Sequence, residues 1–171
     1  MRLLGIGLVF ISCSLGGFIM DGYARKRLRE LEQFVYVFEL LKAEIDYRLT
    51  PLEEACYVVA SFSIPTLASL FEGFGKLLQG RQSANVAGMW EEAIACKVEK
   101  LHLKEEDIEI LQSFGKACGY LDKTMQSRNI DMLITRLKQE LEKAKNQYDK
   151  QGKLNRSLGI LIGACLSLFL I

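Results

Sequence analysis

The single histidine, His102, is the residue with the widest chemical range in this chain. It could serve as a general base, a metal ligand or a phosphate acceptor. A metal site would need partners at ligand spacing, and the sequence holds no HxxxH or HExxH. Five cysteines lie at 13, 56, 96, 118 and 165, odd in number, widely spaced and without a CxxC pair. That is neither a zinc site nor a disulfide framework, and reduced thiols used mostly for packing are expected. A phosphotransfer histidine would sit in a His-x-Leu-Lys-Gly run. Here the run is His102-Leu103-Lys104-Glu105, so the register is off by one and the glycine is missing. Three Gly-Lys pairs invite a phosphate loop, which requires GxxxxGK followed by Ser or Thr. Gly75-Lys76 is followed by Leu77, Gly115-Lys116 by Ala117 and Gly152-Lys153 by Leu154, and the first glycine position holds Leu70, Ile110 and Gln147. Lys104-Glu105-Glu106-Asp107 places three carboxylates together, but at the start of a helix they answer the helix dipole rather than forming an acid–base pair. No catalytic, cofactor-binding or metal-ligating residue is therefore expected.

The chain that positions these groups has 171 residues, with 22 basic against 21 acidic side chains and a net charge of +1. That balance argues against a nucleic-acid-binding module, and no nucleic acid is expected as a partner. Only Pro51 and Pro65 interrupt the chain, which favours helices. Half of the residues are apolar, unevenly placed. Residues 3–20, LLGIGLVFISCSLGGFIM, contain no charge, and as a helix they cover roughly 27 Å, close to a hydrocarbon core of about 30 Å. Residues 157–171, SLGILIGACLSLFLI, are also uncharged but cover only about 22 Å, a short span that Lys153 and Arg156 can lengthen by snorkelling.

Of the basic residues, only Arg2 precedes the first run and none follows the second. Arg25, Lys26, Arg27 and Arg29 follow the first run directly, where they set topology and touch anionic headgroups. Both termini are then expected outside and the middle inside. This gives three parts: residues 1–20 as a transmembrane helix, 21–156 as a cytosolic helical bundle, and 157–171 as a second transmembrane helix. Gly159, Gly163 and Ser167 form a small-xxx-small series suited to close helix packing in lipid. The rival reading of the N-terminus is a processed envelope lipoprotein cut before Cys13, as FISC. It has Phe10 where such sites usually carry Leu, and it would require translocating the basic cluster.

The middle reads as an antiparallel bundle of about six helices, so the fold class is all-α. Helix 1 is expected over Arg25–Leu49, with Leu28, Leu31, Val35, Phe38, Ile45 and Leu49 inward. Thr50-Pro51-Leu52-Glu53 reads as a capping box that starts helix 2, whose buried face is Leu52, Cys56, Val59 and Phe62. Helix 3 follows from Pro65 to about Gln79. Helix 4 is expected over Val86–Leu101, and helix 5 opens at Lys104 and ends at Gly119. Asp122 is the expected cap of a long helix 6, striped by Ile130, Leu133, Ile134, Leu137, Leu141, Ala144 and Tyr148. That helix can run on through Gly152 into the C-terminal apolar run.

Residues 113–126, SFGKACGYLDKTMQ, together with KLNRSLGILIGACLSLFLI at the end, resemble the stage III sporulation protein AB family. Gly115, Gly119, Asp122, Gln126, Lys153, Ser157, Leu158, Gly159, Leu161 and Gly163 fit its pattern, while Cys118 and Leu121 depart from it. The family is similar to the inner-membrane platform protein of type II secretion and type IV pilus machines. The resemblance implies a membrane scaffold of the mother cell, placed in a channel complex between mother cell and forespore. Its expected partners are a cytosolic secretion-type ATPase, other membrane subunits of the channel, and membrane lipid. Asp122 and Gln126 are the candidate partner contacts. From a different class of function, the alternative is a membrane-anchored signalling or phosphotransfer module using His102.

Overall fold

Two long helices frame the molecule in a computed structural model: α1 (Arg2–Asp46) and α6 (Lys123–Leu170). Between them run α2 (Leu52–Ser61), α3 (Pro65–Gly80), α4 (Val86–Ala95) and α5 (Glu105–Cys118), with a 3-10 turn at Val98–Lys100. The structure describes the backbone of residues 2–80, 85–118 and 123–170, and the side chains of 22–80, 85–116, 118 and 124–150. Among the described residues there is no strand.

The helices alternate in direction, as the contacts between them require. Arg25 on α1 donates to Tyr148 on α6, Lys42 pairs with Asp131 at 2.9 Å, and Ser127 donates to Asp46 at 2.8 Å. Each step along α1 toward its C-terminus is thus a step along α6 toward its N-terminus. Gly75 of α3 lies against Tyr57 and the Glu53 carbonyl of α2, and Gly115 of α5 lies against Ala87 and Trp90 of α4. The antiparallel order expected of the bundle is present. Because α1 and α6 are antiparallel, the start of one and the end of the other lie at the same end of the bundle. The domain boundaries drawn at 20/21 and 156/157 fall inside these two helices, neither of which is broken there.

Among the described residues no helix is long and apolar enough to cross a membrane. The two runs proposed as spans, at 3–20 and 157–171, lie outside the residues whose side chains are described, as do Gly159, Gly163 and Ser167.

The core is aromatic at its centre. Phe38 of α1 contacts Phe71, Trp90 and Phe114 with ring centroids 4.9 to 6.2 Å apart, and Phe74 meets Trp90 at 5.0 Å. Most of these pairs are edge-to-face, the arrangement that ring quadrupoles favour. The buried Trp90 Nε1 donates to the Leu111 carbonyl at 2.6 Å, so its one polar atom has a partner. The expected stripes supply this core: Leu31, Phe34, Phe38 and Leu41 on α1, and Ile130, Leu133, Ile134, Leu137 and Ala144 on α6 are buried.

Gly115 shows why a glycine stands in that part of α5. A Cβ there would meet the Ala87 Cα and the Trp90 Cβ at 3.0 Å and the Ala87 carbonyl at 3.1 Å. Two of these are backbone atoms of α4, which cannot swing aside. Gly115→Val is expected to destabilise the fold by about 1–3 kcal/mol despite the better helix propensity of valine. Thermal unfolding of the detergent-solubilised chain would measure it.

Five expectations are corrected. Helix 1 ends at Asp46 rather than Leu49, because Leu49 turns left-handed with φ 56° and the Thr50 N–H bonds the Glu44 carbonyl. Leu49 is 66 % exposed instead of inward. Thr50 does not cap α2. Its hydroxyl donates to the Glu44 carboxylate at 3.2 Å, and Pro51 occupies the cap position without a side-chain bond. Phe62 lies past the end of α2 and is 60 % exposed. Helix 4 stops at Ala95, not Leu101: the chain makes a 3-10 turn and then extends at Leu101, carrying His102 across to α1. The expected end of helix 5 at Gly119 and the expected cap at Asp122 lie outside the described residues.

Candidate functional site

At the end of the bundle where α1 begins and α6 finishes, the core stripes terminate in charged residues. Arg27 lies one turn before Leu31 on the buried face of α1, and Asp107 one turn before Leu111 on that of α5. The two meet as a fork. Arg27 Nε donates to Asp107 Oδ2 and Nη2 to Oδ1, both at 2.8 Å, with side chains only 9 % and 0 % exposed. Glu140 of α6 stands 3.9 Å from the same guanidinium. The hydrogen bond to Asp107 raises the Arg27 pKa above its ordinary value, and burial opposes it with the smaller effect.

Asp107 has a second task. Its Oδ2 accepts the Lys104 backbone N–H at 2.9 Å, and the Ile108 N–H bonds the Lys104 carbonyl. Asp107 therefore closes the N-terminus of α5 as the third residue of a capping arrangement while neutralising Arg27. Helix α5 starts at Glu105, with Lys104 as its cap position. The three carboxylates expected in its first turn are there.

Beside this pair, Glu30 holds His102. The His102 backbone N–H donates to Glu30 Oε2 at 2.6 Å, and the ring Nδ1 faces Oε1 at 2.8 Å. The Tyr23 ring meets the imidazole edge-on, with centroids 4.8 Å apart. His102 thus sits in an extended connection, fastened to α1, rather than on an open helix face where a phosphotransfer partner could reach it. The pair spans 72 residues of sequence and fixes the α4–α5 connection to α1.

The basic cluster separates into different roles. Arg25 donates to the Tyr148 hydroxyl at 2.7 Å and lies over that ring at 5.9 Å. Arg27 faces inward to Asp107, so it does not contact headgroups as expected. Lys26 and Arg29 are exposed. Of the candidate partner contacts, Asp122 lies outside the described residues. Gln126, half-buried at the start of α6, hydrogen-bonds the Cys118 thiol. Among the described residues no group of acids, cysteines and histidine is arranged to hold a metal ion. An open groove between α3 and α4, lined in part by Glu72, Lys76, Glu92 and Cys96, contains no histidine.

The described cysteines split by environment. Cys56 and Cys118 are buried and Cys96 is exposed, all with free thiols. Burial pushes the Cys118 thiol up to about 12, with the Gln126 hydrogen bond pulling the other way, and it raises the Cys56 thiol strongly. Iodoacetamide at neutral pH is expected to alkylate Cys96 in the native chain but Cys56 and Cys118 only after unfolding, as read by peptide mass spectrometry. The same shifts set an alkaline trend. Unfolded thiols ionise near 9 while the folded ones remain protonated, so stability is complete below pH 9 and declines from there toward pH 12.

Sequence reading did not link Arg27 to Asp107 or Glu30 to His102, partners 80 and 72 residues apart. A signal was present: Arg27 and Asp107 each lie one turn before a buried leucine, Leu31 and Leu111, and Glu140 lies beside Leu137 within the α6 stripe. Charged residues in register with a core stripe at the same end of three helices mark a buried ionic cluster.

With this architecture in place, comparison with known proteins is informative. The family model for stage III sporulation protein AB matches residues 2–171. The chain is 31 % identical over 171 residues to the stage III sporulation protein AB of Bacillus subtilis (strain 168), covering 99 % of both chains. A solved structure of a stage III sporulation protein AB is similar with a TM-score of 0.66 at 29 % identity, over 72 % of this chain and 97 % of that one. The chain belongs to the stage III sporulation protein AB family.

Proposed function

We propose that this protein is a membrane-anchored docking platform of a sporulation channel complex between mother cell and forespore, and that its bundle receives a cytosolic secretion-type ATPase. The observation that carries this reading is the antiparallel pairing of α1 and α6. The Arg25–Tyr148 contact sets the middle of α1 beside the middle of α6, so the first half of one and the second half of the other leave the bundle at the same end. In sequence, those two helices lead directly into the uncharged runs 3–20 and 157–171. A bundle tethered through both helices at one end presents its opposite end to the cell interior. The ATPase supplies the nucleotide chemistry, and the bundle supplies a rigid seat with a buried ion pair and an aromatic core.

The far end offers the contact residues. Tyr47 and Leu49, 87 % and 66 % exposed, flank the turn after α1, and Gln126 stands near them at the start of α6. Asp122 precedes it in sequence. Copurification of the ATPase with the full chain tests the docking, and Tyr47→Ala combined with Gln126→Ala is expected to weaken it. If neither pull-down nor two-hybrid assay detects the ATPase, the docking reading fails.

The phosphotransfer alternative is separable. His102→Asn removes the phosphorylatable ring and keeps a side chain able to donate to Glu30. The platform reading expects sporulation to persist in that variant, and the phosphotransfer reading expects its loss.

A further inference from the structure

The α4–α5 connection lies close to the level at which α1 meets its apolar run. Tyr23 is three residues beyond Met20, about 4.5 Å of helix rise, which falls inside a headgroup layer about 5–7 Å thick. His102 touches the Tyr23 ring and is fastened below it to Glu30. Residues 98–104 are therefore held next to the layer that Tyr23 occupies. Tyr23 is 58 % exposed, a ring with an apolar body and a polar tip of the kind enriched at membrane interfaces.

The charges at this end suit an anionic surface. Lys26 and Arg29 on α1, and Lys100 and Lys104 flanking His102, are exposed, and none of them pairs with another described residue. Farther along the bundle, Lys42, Arg48 and Lys138 are bound to Asp131, Glu44 and Glu39, while Lys76, Arg128 and Arg136 are exposed like the four at this end. Glu99, Glu105 and Glu106 share this end; the last two occupy the first turn of α5, where the helix dipole offsets them, and Glu99 leaves residues 98–104 with two lysines against one carboxylate.

We propose that residues 98–104, pinned to α1 through His102, form a second membrane-contacting element, with Lys100 and Lys104 joining Lys26 and Arg29 in binding anionic phospholipid headgroups. This rests on the membrane-anchored reading above. It extends headgroup contact from the stretch next to the first apolar run to a segment some 75 residues away in sequence. The bundle then meets the bilayer along two sides and is held at a fixed tilt, instead of swinging on its two tethers.

The test uses the full chain in nanodiscs, made either of phosphatidylcholine alone or with about a third phosphatidylglycerol. Amide hydrogen exchange over residues 98–104 is the readout. Exchange is expected to be roughly tenfold slower in the anionic discs, with the difference abolished by high salt and by the Lys100→Glu/Lys104→Glu variant. Unchanged exchange in α3 of that variant verifies that it is folded. Equal exchange at 98–104 in both lipids, in a chain that has incorporated, overturns the headgroup proposal and leaves anchoring intact. A chain that elutes apart from the discs overturns the anchoring reading and this proposal with it.

Discussion

Asp107→Ala is expected to destabilise the protein by about 3–5 kcal/mol, the usual cost of leaving one member of a buried ion pair without its partner. Among the described residues, Arg27 would retain Glu140, at 3.9 Å, and the weaker attraction of Glu106, in a site where its own side chain is 9 % exposed. The loss is compounded because Asp107 also accepts the Lys104 N–H, so α5 loses its N-terminal closure, worth about 1 kcal/mol. Asp107→Asn keeps that capping bond but not the charge, and should fall between the two. Replacing both partners, as Arg27→Met with Asp107→Leu, should recover much of the stability, since a well-packed apolar pair avoids the desolvation cost. Thermal unfolding of the four detergent-solubilised chains gives the comparison. A loss below about 1 kcal/mol for Asp107→Ala would mean that the pair is solvated in practice.

Trp90→Ala should cost a similar amount, about 3–5 kcal/mol, for a different reason. Trp90 is fully buried and lies within 6.2 Å, centroid to centroid, of Phe38, Phe71, Phe74 and Phe114, so truncation opens a cavity bordered by α1, α3 and α5. Those rings are themselves packed edge-to-face and cannot all collapse into the space. Trp90→Phe separates the two contributions: it preserves most of the ring contact and gives up the Nε1 bond to the Leu111 carbonyl. Its cost should be nearer 1–2 kcal/mol. The cavity should be visible as binding of small apolar probes to the Ala variant alone.

The two cases show which parts of this fold were legible. The aromatic core followed from helical spacing, because Phe34 and Phe38 recur with Leu31 and Leu41 on one face of α1. Helix ends were less legible, since they are decided by particular side-chain partners, near or far in sequence, rather than by the preference of the end residue itself. Leu49 adopts a left-handed turn that local preference assigns to glycine, because Glu44 gathers the Thr50 hydroxyl, the Thr50 N–H and Arg48 around the end of α1. Helix 4 ends early because its continuation would carry His102 away from Glu30. A capping box at Thr50 was a sound local reading that lost to a carboxylate six residues upstream. The ionic cluster was not read, because no short motif joins residues on α1, α5 and α6.

The division between core and clamp also bears on how force or position would pass through the molecule. The aromatic centre joins α1, α3, α4 and α5, while Arg27, Asp107 and Glu140 join α1, α5 and α6 nearer the apolar runs. A bundle fastened at both levels moves as a unit, as the docking proposed above would require.

The exposed thiol of Cys96 gives the most direct test of the platform account. In protoplasts expressing the full chain, a membrane-impermeant maleimide should leave Cys96 of the membrane-pelleted protein unlabelled, and label it once the membrane is opened. Labelling of Cys96 in sealed protoplasts would place the bundle outside the cell and contradict the account.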